Sequence, residues 1–434
     1  MANIGIVSLG CAKALTDSER ILTRLRAEGY GIVDSYENAD AVIVNTCGFL
    51  DSARAESFEA IHEALDENGK VLVTGCLGAL PDEILSRFPK VLSVTGPHQY
   101  QAVMEAVHKV SPPESDPKLS LLPPEGLRLT PHHYAYLKIS EGCNHNCRFC
   151  IIPDLRGRQV SRTFDDIYKE AEALAISGTK ELLVIGQDTG DWGSDLSPRN
   201  FHWDNKEYKA DIVNLCKHLG SLKMWVRLHY MYPWRNVDDL IPLMADGLIA
   251  PYLDVPFQHA SPKILKSMKR PAQQEKLLER IESWRKSCPD IALRSTFIVG
   301  YPGETDQDFD YLMDWLQEAQ LDRVGVFQFE AVKGAVASEM DDQIEDDVKQ
   351  WRFEQVMELQ SQISENKLSQ KIGKSYDVVI DNIDGETAIG RTIYDAPEVD
   401  GQVHIAGANF LKIGERALVK ITDSDAFDLY GELA

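Results

Sequence analysis

Six strand-like apolar runs alternate with helix-like stretches from Tyr134 to about Gly373, and this repetition constrains the fold more than any other feature. Such alternation favours parallel strands joined by crossover helices. Six units in succession predict a partial (β/α)6 barrel, whose functional groups should lie at the carboxyl ends of its strands. A long amphipathic helix, about Glu345 to Gln370, is expected to close the barrel. The expected strands are Ala135–Ser140, Glu181–Gly186, Met224–His229, Pro251–Val255, Ala292–Val299 and Arg323–Phe327.

The first third of the chain shows the same alternation on a smaller scale. Its short β-branched runs predict a doubly wound, parallel α/β sheet. Thr16 and Glu19 have the spacing of a capping box, which predicts that the first helix runs from Asp17 to Glu28. The expected strands are Ile4–Ser8, Ala41–Asn45 and Val71–Thr74.

Two changes in composition divide the chain into domains. The stretch between Ser111 and Pro131 is Pro-rich and aperiodic, which predicts a linker. Beyond about Lys371, short strands separated by Gly, Asp and Asn turns predict a small antiparallel β-barrel of the OB-like kind. Its expected strands are Tyr376–Ile380, Thr387–Thr392, Gly401–Ile405 and Ala417–Thr422. The expected organisation is an α/β domain at 1–112, a linker at 113–130, the central barrel at 131–370 and the small barrel at 371–434.

Composition and charge bound the class of protein. Apolar residues make up 44% and charged residues 26% of the chain, as in ordinary globular proteins. No apolar run reaches the length that spans a bilayer, and no Lys or Arg precedes the short apolar stretch before Cys11, so we expect a cytoplasmic protein with no membrane partner. The net charge of −23 is spread over the whole chain, with −6 in residues 1–112 and −6 in residues 371–434. No domain has the basic balance that is usual in nucleic-acid enzymes.

The strongest chemical signal is a cysteine loop directly after the first strand of the central barrel. Cys143, Cys147 and Cys150 form a Cys-x3-Cys-x2-Cys pattern within eight residues. Three thiolates on one tight loop can bind three irons of a 4Fe-4S cluster and leave the fourth iron open to a substrate. The alternatives are a zinc site completed by His145, or three unrelated thiols. Structural zinc sites usually pair their ligands two by two, which this loop does not offer.

Three further cysteines occupy equivalent positions in the N-terminal domain. Cys11, Cys47 and Cys76 each follow one of its expected strands, so a parallel sheet would bring them to its carboxyl edge. Three thiolates without a fourth ligand suggest a second 4Fe-4S cluster with an open iron, whereas the alternative is three small buried residues at strand ends. Cys216 and Cys288 lie on expected helices without partners and are interpreted as packing residues.

The loop at 143–150 resembles that of the radical S-adenosylmethionine superfamily. In that family the open iron is chelated by S-adenosylmethionine, and reductive cleavage of the cofactor yields a 5′-deoxyadenosyl radical. The resemblance implies that Phe149, between the second and third cysteines, lies against the adenine. It also implies cofactor contacts at Gln187, after the second strand, and at Gly300 and Gly303, after the fifth.

Over its full length the chain resembles the methylthiotransferases of that superfamily, whose C-terminal module is the TRAM domain. Within the family, the resemblance is to the members that exchange the β-carbon C–H of an aspartate in ribosomal protein S-twelve of the small subunit for C–S–CH3. It implies two 4Fe-4S clusters, S-adenosyl-L-methionine, a sulfur source, and an electron donor such as flavodoxin or ferredoxin. Asp191-Trp192-Gly193 departs from the expected pattern. The segments that carry the match are Leu137–Cys143, Ile151–Pro153, Arg156–Gly157, Gln187–Thr189, Arg227–Tyr230, Pro256–Ser261 and Ala396–Gly401.

Two other functions are compatible with parts of the sequence. A tRNA methylthiotransferase would share all six clustered cysteines, but a polyanionic substrate should favour a basic small barrel, so no tRNA is expected. A plain iron–sulfur electron carrier would not need the large barrel.

A dense acidic stretch in the small barrel suggests where a basic ribosomal protein docks. Its side chains are Asp377, Asp381, Asp384, Glu386, Asp395, Glu398 and Asp400. Of the histidines, His229 and His259 either line the barrel pocket or are hydrogen-bonded scaffold residues. His132 and His133, in the linker region, are expected at the surface.

Overall fold

A computed structural model describes residues 2–112, 129–271 and 274–434 of the chain. Most of the predicted linker, at 113–128, lies outside the described residues. The chain divides into two compact units: Met1–Pro131, Glu141–Val160 and Glu330–Ser338 form the first, and His132–Ser140, Ser161–Phe329 and Glu339–Ala434 form the second. The cysteine loop at 143–150 therefore clusters with the N-terminal domain rather than with the barrel strands that flank it in sequence.

The first unit contains a parallel five-stranded sheet in the order β2-β1-β3-β4-β5. Leu72 and its neighbours on one face pack against α1 and α4, whereas Val42, Val71 and Val73 on the other pack against α2 and α3. Apolar residues on both faces bury the sheet, and the predicted doubly wound fold is confirmed. The elements are β1 (Asn3–Ser8), α1 (Ala12–Ala27), β2 (Gly31–Val33), β3 (Ala41–Thr46), α2 (Asp51–Glu67), β4 (Val71–Gly75), α3 (Pro81–Arg87), β5 (Ser93–Val94) and α4 (Tyr100–Val110).

The first helix begins earlier than the capping-box spacing predicted. It starts at Ala12 with Cys11 as its N-cap, and Thr16 lies inside the helix, where its hydroxyl donates to the Ala12 carbonyl oxygen at 3.0 Å. The prediction of a start at Asp17 was wrong, because Thr16 satisfies the preceding turn rather than opening a new one. Cys11 consequently lies at the amino end of a sixteen-residue helix.

The second unit is built on six parallel strands in the order β6-β9-β12-β13-β14-β15. This order follows the chain, as the predicted (β/α)6 partial barrel requires, and the helices between the strands cover an extensive apolar core. Cys216 and Cys288 are both buried in that core, so their interpretation as packing residues is confirmed.

The strands of this sheet are β6 (Tyr134–Lys138), β9 (Glu181–Ile185), β12 (Trp225–Leu228), β13 (Tyr252–Asp254), β14 (Ala292–Val299) and β15 (Arg323–Gln328). The chain also forms β7 (Ser140–Glu141), β8 (Val160–Ser161) and a hairpin of β10 (Asn200–Trp203) with β11 (Lys206–Lys209). The remaining helices are α5 (Ile152–Arg156), α6 (Phe164–Ile176), α7 (Ile212–Gly220), α8 (Ile241–Ala245), α9 (Pro262–Ser267), α10 (Gln274–Ser287), α11 (Asp306–Ala319) and α12 (Asp346–Ser369). Within the described residues, no helix combines the length and the apolar character needed to cross a membrane.

The C-terminal region is a closed five-stranded barrel, as predicted, in the order β16-β17-β18-β20-β19. The strand β20 (Leu429–Leu433) was not predicted. It pairs with β18 in parallel, whereas the other four strand pairs of the barrel are antiparallel. The strands are β16 (Ser375–Asp384), β17 (Thr387–Thr392), β18 (Val403–Ala406), β19 (Arg416–Ser424) and β20 (Leu429–Leu433).

Buried charges join the small barrel to the six-stranded sheet inside the second unit. Glu181 on β9 accepts from Arg227 Nε of β12 at 2.7 Å and also pairs with Arg391 of β17. All three side chains are at most 2% exposed. Two carboxylates that follow β17 also pair with the sheet: Asp395 with Arg323 at 2.6 Å, and Asp400 with the Tyr252 hydroxyl at 2.6 Å.

Candidate metal centre

The N-terminal sheet brings Cys11, Cys47 and Cys76 together at its carboxyl edge. They follow β1, β3 and β4, which are neighbours in the sheet. Gly10 has a φ of +98°, and a Cβ atom added there would lie 3.3 Å from Cys47 Sγ. A glycine at 10 therefore permits both the left-handed turn and the close approach of the two loops.

Polar residues near the strand ends hold these loops in place. The Cys47 N–H donates to Ser57 Oγ at 3.0 Å, and the same oxygen lies 2.9 Å from the Cys47 carbonyl. The Asn45 amide donates to the Ala14 carbonyl at 2.8 Å, which fixes β3 against α1. The sequence analysis did not identify Asn45 or Ser57; the position of Asn45 two residues before a cysteine was the available local signal.

The three thiols differ in their electrostatic environments. Burial raises the pKa of Cys76 to about 11, although the Arg156 charge and hydrogen bond oppose the shift. Burial, together with the neighbouring Cys11, also raises the pKa of Cys47. At Cys11 burial likewise raises the pKa, but Lys13 and the N–H groups at the start of α1 outweigh it, so the net pKa is lowered. The charges of these thiols act on one another, as expected of groups that share one site.

Arg156 is the principal functional residue that the sequence analysis did not assign. Its side chain is 2% exposed, and its Nε donates to Cys76 Sγ at 3.1 Å. Its Nη1 donates to Glu141 Oε1 at 2.9 Å and to Asp17 Oδ2 at 3.3 Å. Cys76 and Arg156 are 80 residues apart, so no local pattern connects them.

The second cysteine set lies on the loop between β7 and α5. Cys143, Cys147 and Cys150 are all partly exposed. The backbone turns tightly, because the Cys150 N–H donates to the Cys147 carbonyl at 3.1 Å and the Cys143 N–H donates to the Gly157 carbonyl at 3.1 Å. Gly142 has a φ of +76°, and a Cβ atom there would lie 2.2 Å from the Arg158 carbonyl oxygen. The loop therefore presents its sulfur atoms from a constrained backbone.

Both triads fit an iron–sulfur cluster better than a single metal ion. Among the residues that the structure describes, one set of three Asp, Glu, His or Cys ligand atoms lies mutually within 4.8 Å, namely Asp17, His98 and Glu141. Each cysteine triad supplies three thiolates, the ligand set of a 4Fe-4S cluster with one open iron, whereas structural zinc sites take four protein ligands. Arg156 Nη2 is buried beside Cys76 without a partner in the described part of the chain, so an anionic group bound there would satisfy it.

The other predicted cofactor contacts are positioned as follows. Phe149 is partly buried on the cysteine loop. In the second unit, Gln187 follows β9 and Gly300 follows β14, at the carboxyl edge of the sheet. Gly300 has a φ of +72°, and a Cβ atom there would lie 2.3 Å from Lys349 Cγ. Gly303 has a φ of +79°, and a Cβ atom there would lie 3.9 Å from Asp342 Oδ2. Backbone conformation and packing against α12 thus account for the glycine at 300, and its cofactor contact stays a prediction.

The two strand-end histidines are buried and paired with carboxylates. His229 Nδ1 lies 3.2 Å from Asp254 Oδ2, and Asp254 also accepts from Arg294 at 3.2 Å. His259 is fully buried, its Nδ1 accepts from the Ser261 N–H at 2.9 Å, and its Nε2 lies 3.7 Å from Glu304 Oε1. Of the two readings considered for these histidines, the hydrogen-bonded scaffold is the one this geometry favours.

A parallel sheet of six strands, a cysteine loop after its first strand and a second cysteine triad define a radical S-adenosylmethionine protein with an added iron–sulfur domain. Family models match the radical SAM superfamily at residues 137–316, the uncharacterized protein family UPF0004 at 3–96 and the TRAM domain at 372–434. Relatives named ribosomal protein uS12 methylthiotransferase RimO are 59% identical in Paramagnetospirillum magneticum and 58% identical in Zymomonas mobilis, over 99% of this chain and 96% and 97% of theirs. The chain therefore belongs to the RimO family of methylthiotransferases.

A solved structure supports the fold independently of close sequence similarity. The radical S-adenosylmethionine methyltransferase TsrM from Kitasatospora setae, with cobalamin and a [4Fe-4S] cluster bound, superposes with a TM-score of 0.55. The superposition covers 76% of this chain and 75% of that one at 14% identity. This likeness concerns the fold alone.

Proposed function

We propose that this chain is a radical S-adenosylmethionine methylthiotransferase that replaces the β-carbon C–H of an aspartate in ribosomal protein S12 by C–S–CH3. Relatedness over 99% of the chain to proteins named for that activity carries the proposal. The two cysteine triads supply the chemistry that it needs. A ribosomal substrate would place the enzyme in the cytoplasm.

Two 4Fe-4S clusters and S-adenosylmethionine are the cofactors, and together they supply the radical and sulfur chemistry that the exchange of C–H for C–S–CH3 requires. In our proposal Cys143, Cys147 and Cys150 hold one cluster and Phe149 packs against the adenine of the cofactor. Gln187, Gly300 and Gly303 would form further contacts with that cofactor. Cys11, Cys47 and Cys76 hold the other cluster, which serves sulfur delivery.

The protein's own residues position these groups. Gly142 and the hydrogen bond between Cys143 and Gly157 constrain the cysteine loop at 143–150, which we call the radical loop. Ser57 and Asn45 fix the strand-end loops of the N-terminal triad. Rigid supports of this kind keep reacting groups within the narrow tolerances that catalysis demands.

The division of labour follows the proposed domains: 1–112 for sulfur delivery, 131–370 for the radical reaction and 371–434, the TRAM barrel, for substrate contact, with 113–130 as the linker. A sulfur source and a low-potential electron donor of the flavodoxin or ferredoxin type would complete the reaction.

The proposal is tested by offering the reconstituted enzyme isolated S12 and tRNA side by side, with S-adenosylmethionine and a reductant. We expect one methylthio group on an aspartate-containing peptide of S12, found by mass spectrometry, and none on tRNA nucleosides. Modified adenosine with unmodified S12 would assign the chain to the tRNA-modifying branch instead. S-adenosylmethionine turnover without either product would contradict both assignments.

A further inference from the structure

We propose that Arg156 is a positioning residue of the N-terminal cluster site, where its guanidinium binds Cys76 and raises the reduction potential of the cluster. The inference rests on the proposed placement of a cluster at Cys11, Cys47 and Cys76. It gives a second role to the segment that follows the radical loop, because Arg156 ends α5, six residues after Cys150.

The contact joins two parts of the chain that carry different cysteine sets. Arg156 Nε lies 3.1 Å from Cys76 Sγ, at hydrogen-bonding distance for sulfur, and the arginine side chain is 2% exposed. Its charge also acts on Cys11 and Cys47. One buried cation therefore serves all three thiols of the N-terminal triad, although it is supplied from the neighbourhood of the other triad.

Two carboxylates orient the guanidinium. Glu141 and Asp17 both accept from Nη1, at 2.9 and 3.3 Å, and Asp17 also accepts from the Tyr100 hydroxyl at 2.6 Å. Because the guanidinium is planar, fixing Nη1 also fixes the direction of Nε towards the sulfur. Lysine could supply a charge at this position but not this set of directed bonds.

Charge balance gives the direction of the effect. A reduced cluster carries one more negative charge than an oxidised one, and a cation or a hydrogen-bond donor at a ligand sulfur stabilises the more negative state. Arg156 therefore favours the reduced form, and burial strengthens its action since little water screens it. A neutral side chain at 156 should move the potential in the negative direction.

The experiment isolates one cluster in the full-length chain. In a parent with Cys143, Cys147 and Cys150 all replaced by Ala, only the N-terminal cluster is titrated, with electron paramagnetic resonance as the readout. Arg156→Gln is compared with Arg158→Gln, which removes an exposed arginine two residues away. We expect Arg156→Gln to lower the ratio of reduced to oxidised cluster at least tenfold at fixed potential, a shift of about 59 mV for a one-electron couple. Arg158→Gln should leave the ratio at the parent value.

Each outcome decides the question. A parent without iron would overturn the placement of the cluster, and with it the proposed function of this triad. An iron-loaded Arg156→Gln protein with the parent's potential would overturn the role of Arg156 alone. If Arg156→Gln fails to hold iron, Arg156→Lys replaces it: a retained cluster with a potential below the parent's supports the proposal. Loss of iron from Arg156→Lys as well would overturn the proposal, because Arg156 would then be needed to assemble the cluster and not to set its potential.

Discussion

His133 Nε2 lies 2.6 Å from Asp381 Oδ1, so a histidine just before β6 pairs with a carboxylate on the first strand of the small barrel. His133 is buried, and its expected position at the surface was wrong, whereas His132 is exposed. Asp381 also pairs with Arg391 at 2.9 Å. An acidic side chain assigned to substrate docking thus belongs to the internal contacts of the second unit.

Three more members of the acidic stretch are engaged in the same way. Asp395 and Asp400 pair with Arg323 and Tyr252 of the sheet, and the Glu398 carboxylate accepts from the Tyr134 hydroxyl at 2.7 Å. The number of acidic side chains in the sequence of this stretch therefore overstates the negative charge available to a partner. Glu398 is itself exposed, and the other exposed acids of this stretch are Asp377, Asp384 and Glu386.

We predict that these exposed acids, not Asp381, steer the basic substrate. Replacing Asp384 and Glu386 by Lys should slow association with S12 about tenfold at low salt and flatten its salt dependence, since steering by surface charge is screened within about 8 Å at physiological salt. The control replaces Asp310 and Glu318 by Lys, two exposed acids on α11. Equal association rates for both double variants, measured across a salt series, would show that docking does not use this face.

The buried pair of Glu181 and Arg391 should be essential for stability. Arg391→Met leaves the fully buried Glu181 carboxylate with Arg227 as its remaining cation, and breaking one side of a buried ion pair costs about 3–5 kcal/mol. Urea unfolding at neutral pH measures the loss. Lys420→Met, at an exposed position on β19, is the control and should stay within about 0.5 kcal/mol of the parent. A parent-like midpoint for Arg391→Met would refute the prediction.

Asp254 should make stability depend on pH in the acid range. Burial raises its pKa, but the hydrogen bond from His229 and the charge of Arg294 lower it more, to about 2. A carboxyl with a lowered pKa stabilises the fold above its unfolded pKa and loses that contribution as the pH falls towards about 2. The contribution is about 2 kcal/mol. Asp254→Asn should therefore show a smaller drop in the free energy of unfolding between pH 5 and pH 3 than the parent, by urea titration. Asp246→Asn, at an exposed site, should follow the parent curve.

The strands and the triads were predictable because their signals are local or repeat regularly. β-branched runs mark the strands of both sheets, and the carboxyl edge of a parallel sheet gathers Cys11, Cys47 and Cys76 whatever the details of the loops. The start of α1 was missed because Thr16 and Glu19 have the spacing of a capping box, whereas the helix begins at Ala12 with Cys11 as its N-cap. Pairings such as that of Arg156 with Cys76 depend on tertiary structure, so no sequence window contains both partners. The internal pairing of acids such as Asp381 and Asp395 could not be predicted for the same reason.

The two triads should fail in different ways when single cysteines are removed. Cys150→Ala should lose one cluster's worth of iron and all cleavage of S-adenosylmethionine, because the radical loop then offers two thiolates for a three-iron site. Cys47→Ala should also lose one cluster's worth of iron yet keep cleaving the cofactor, since its triad belongs to the N-terminal sheet. Methylthiolated S12 should be absent in both. Iron analysis, chromatography of 5′-deoxyadenosine and mass spectrometry of S12 give the three readouts.

Cys288→Ser, at a buried position in the core of the second unit, is the control and should retain both clusters. Methylthiolated product from Cys47→Ala would remove the N-terminal triad from sulfur delivery, and normal cofactor cleavage by Cys150→Ala would remove the radical loop from its assigned role.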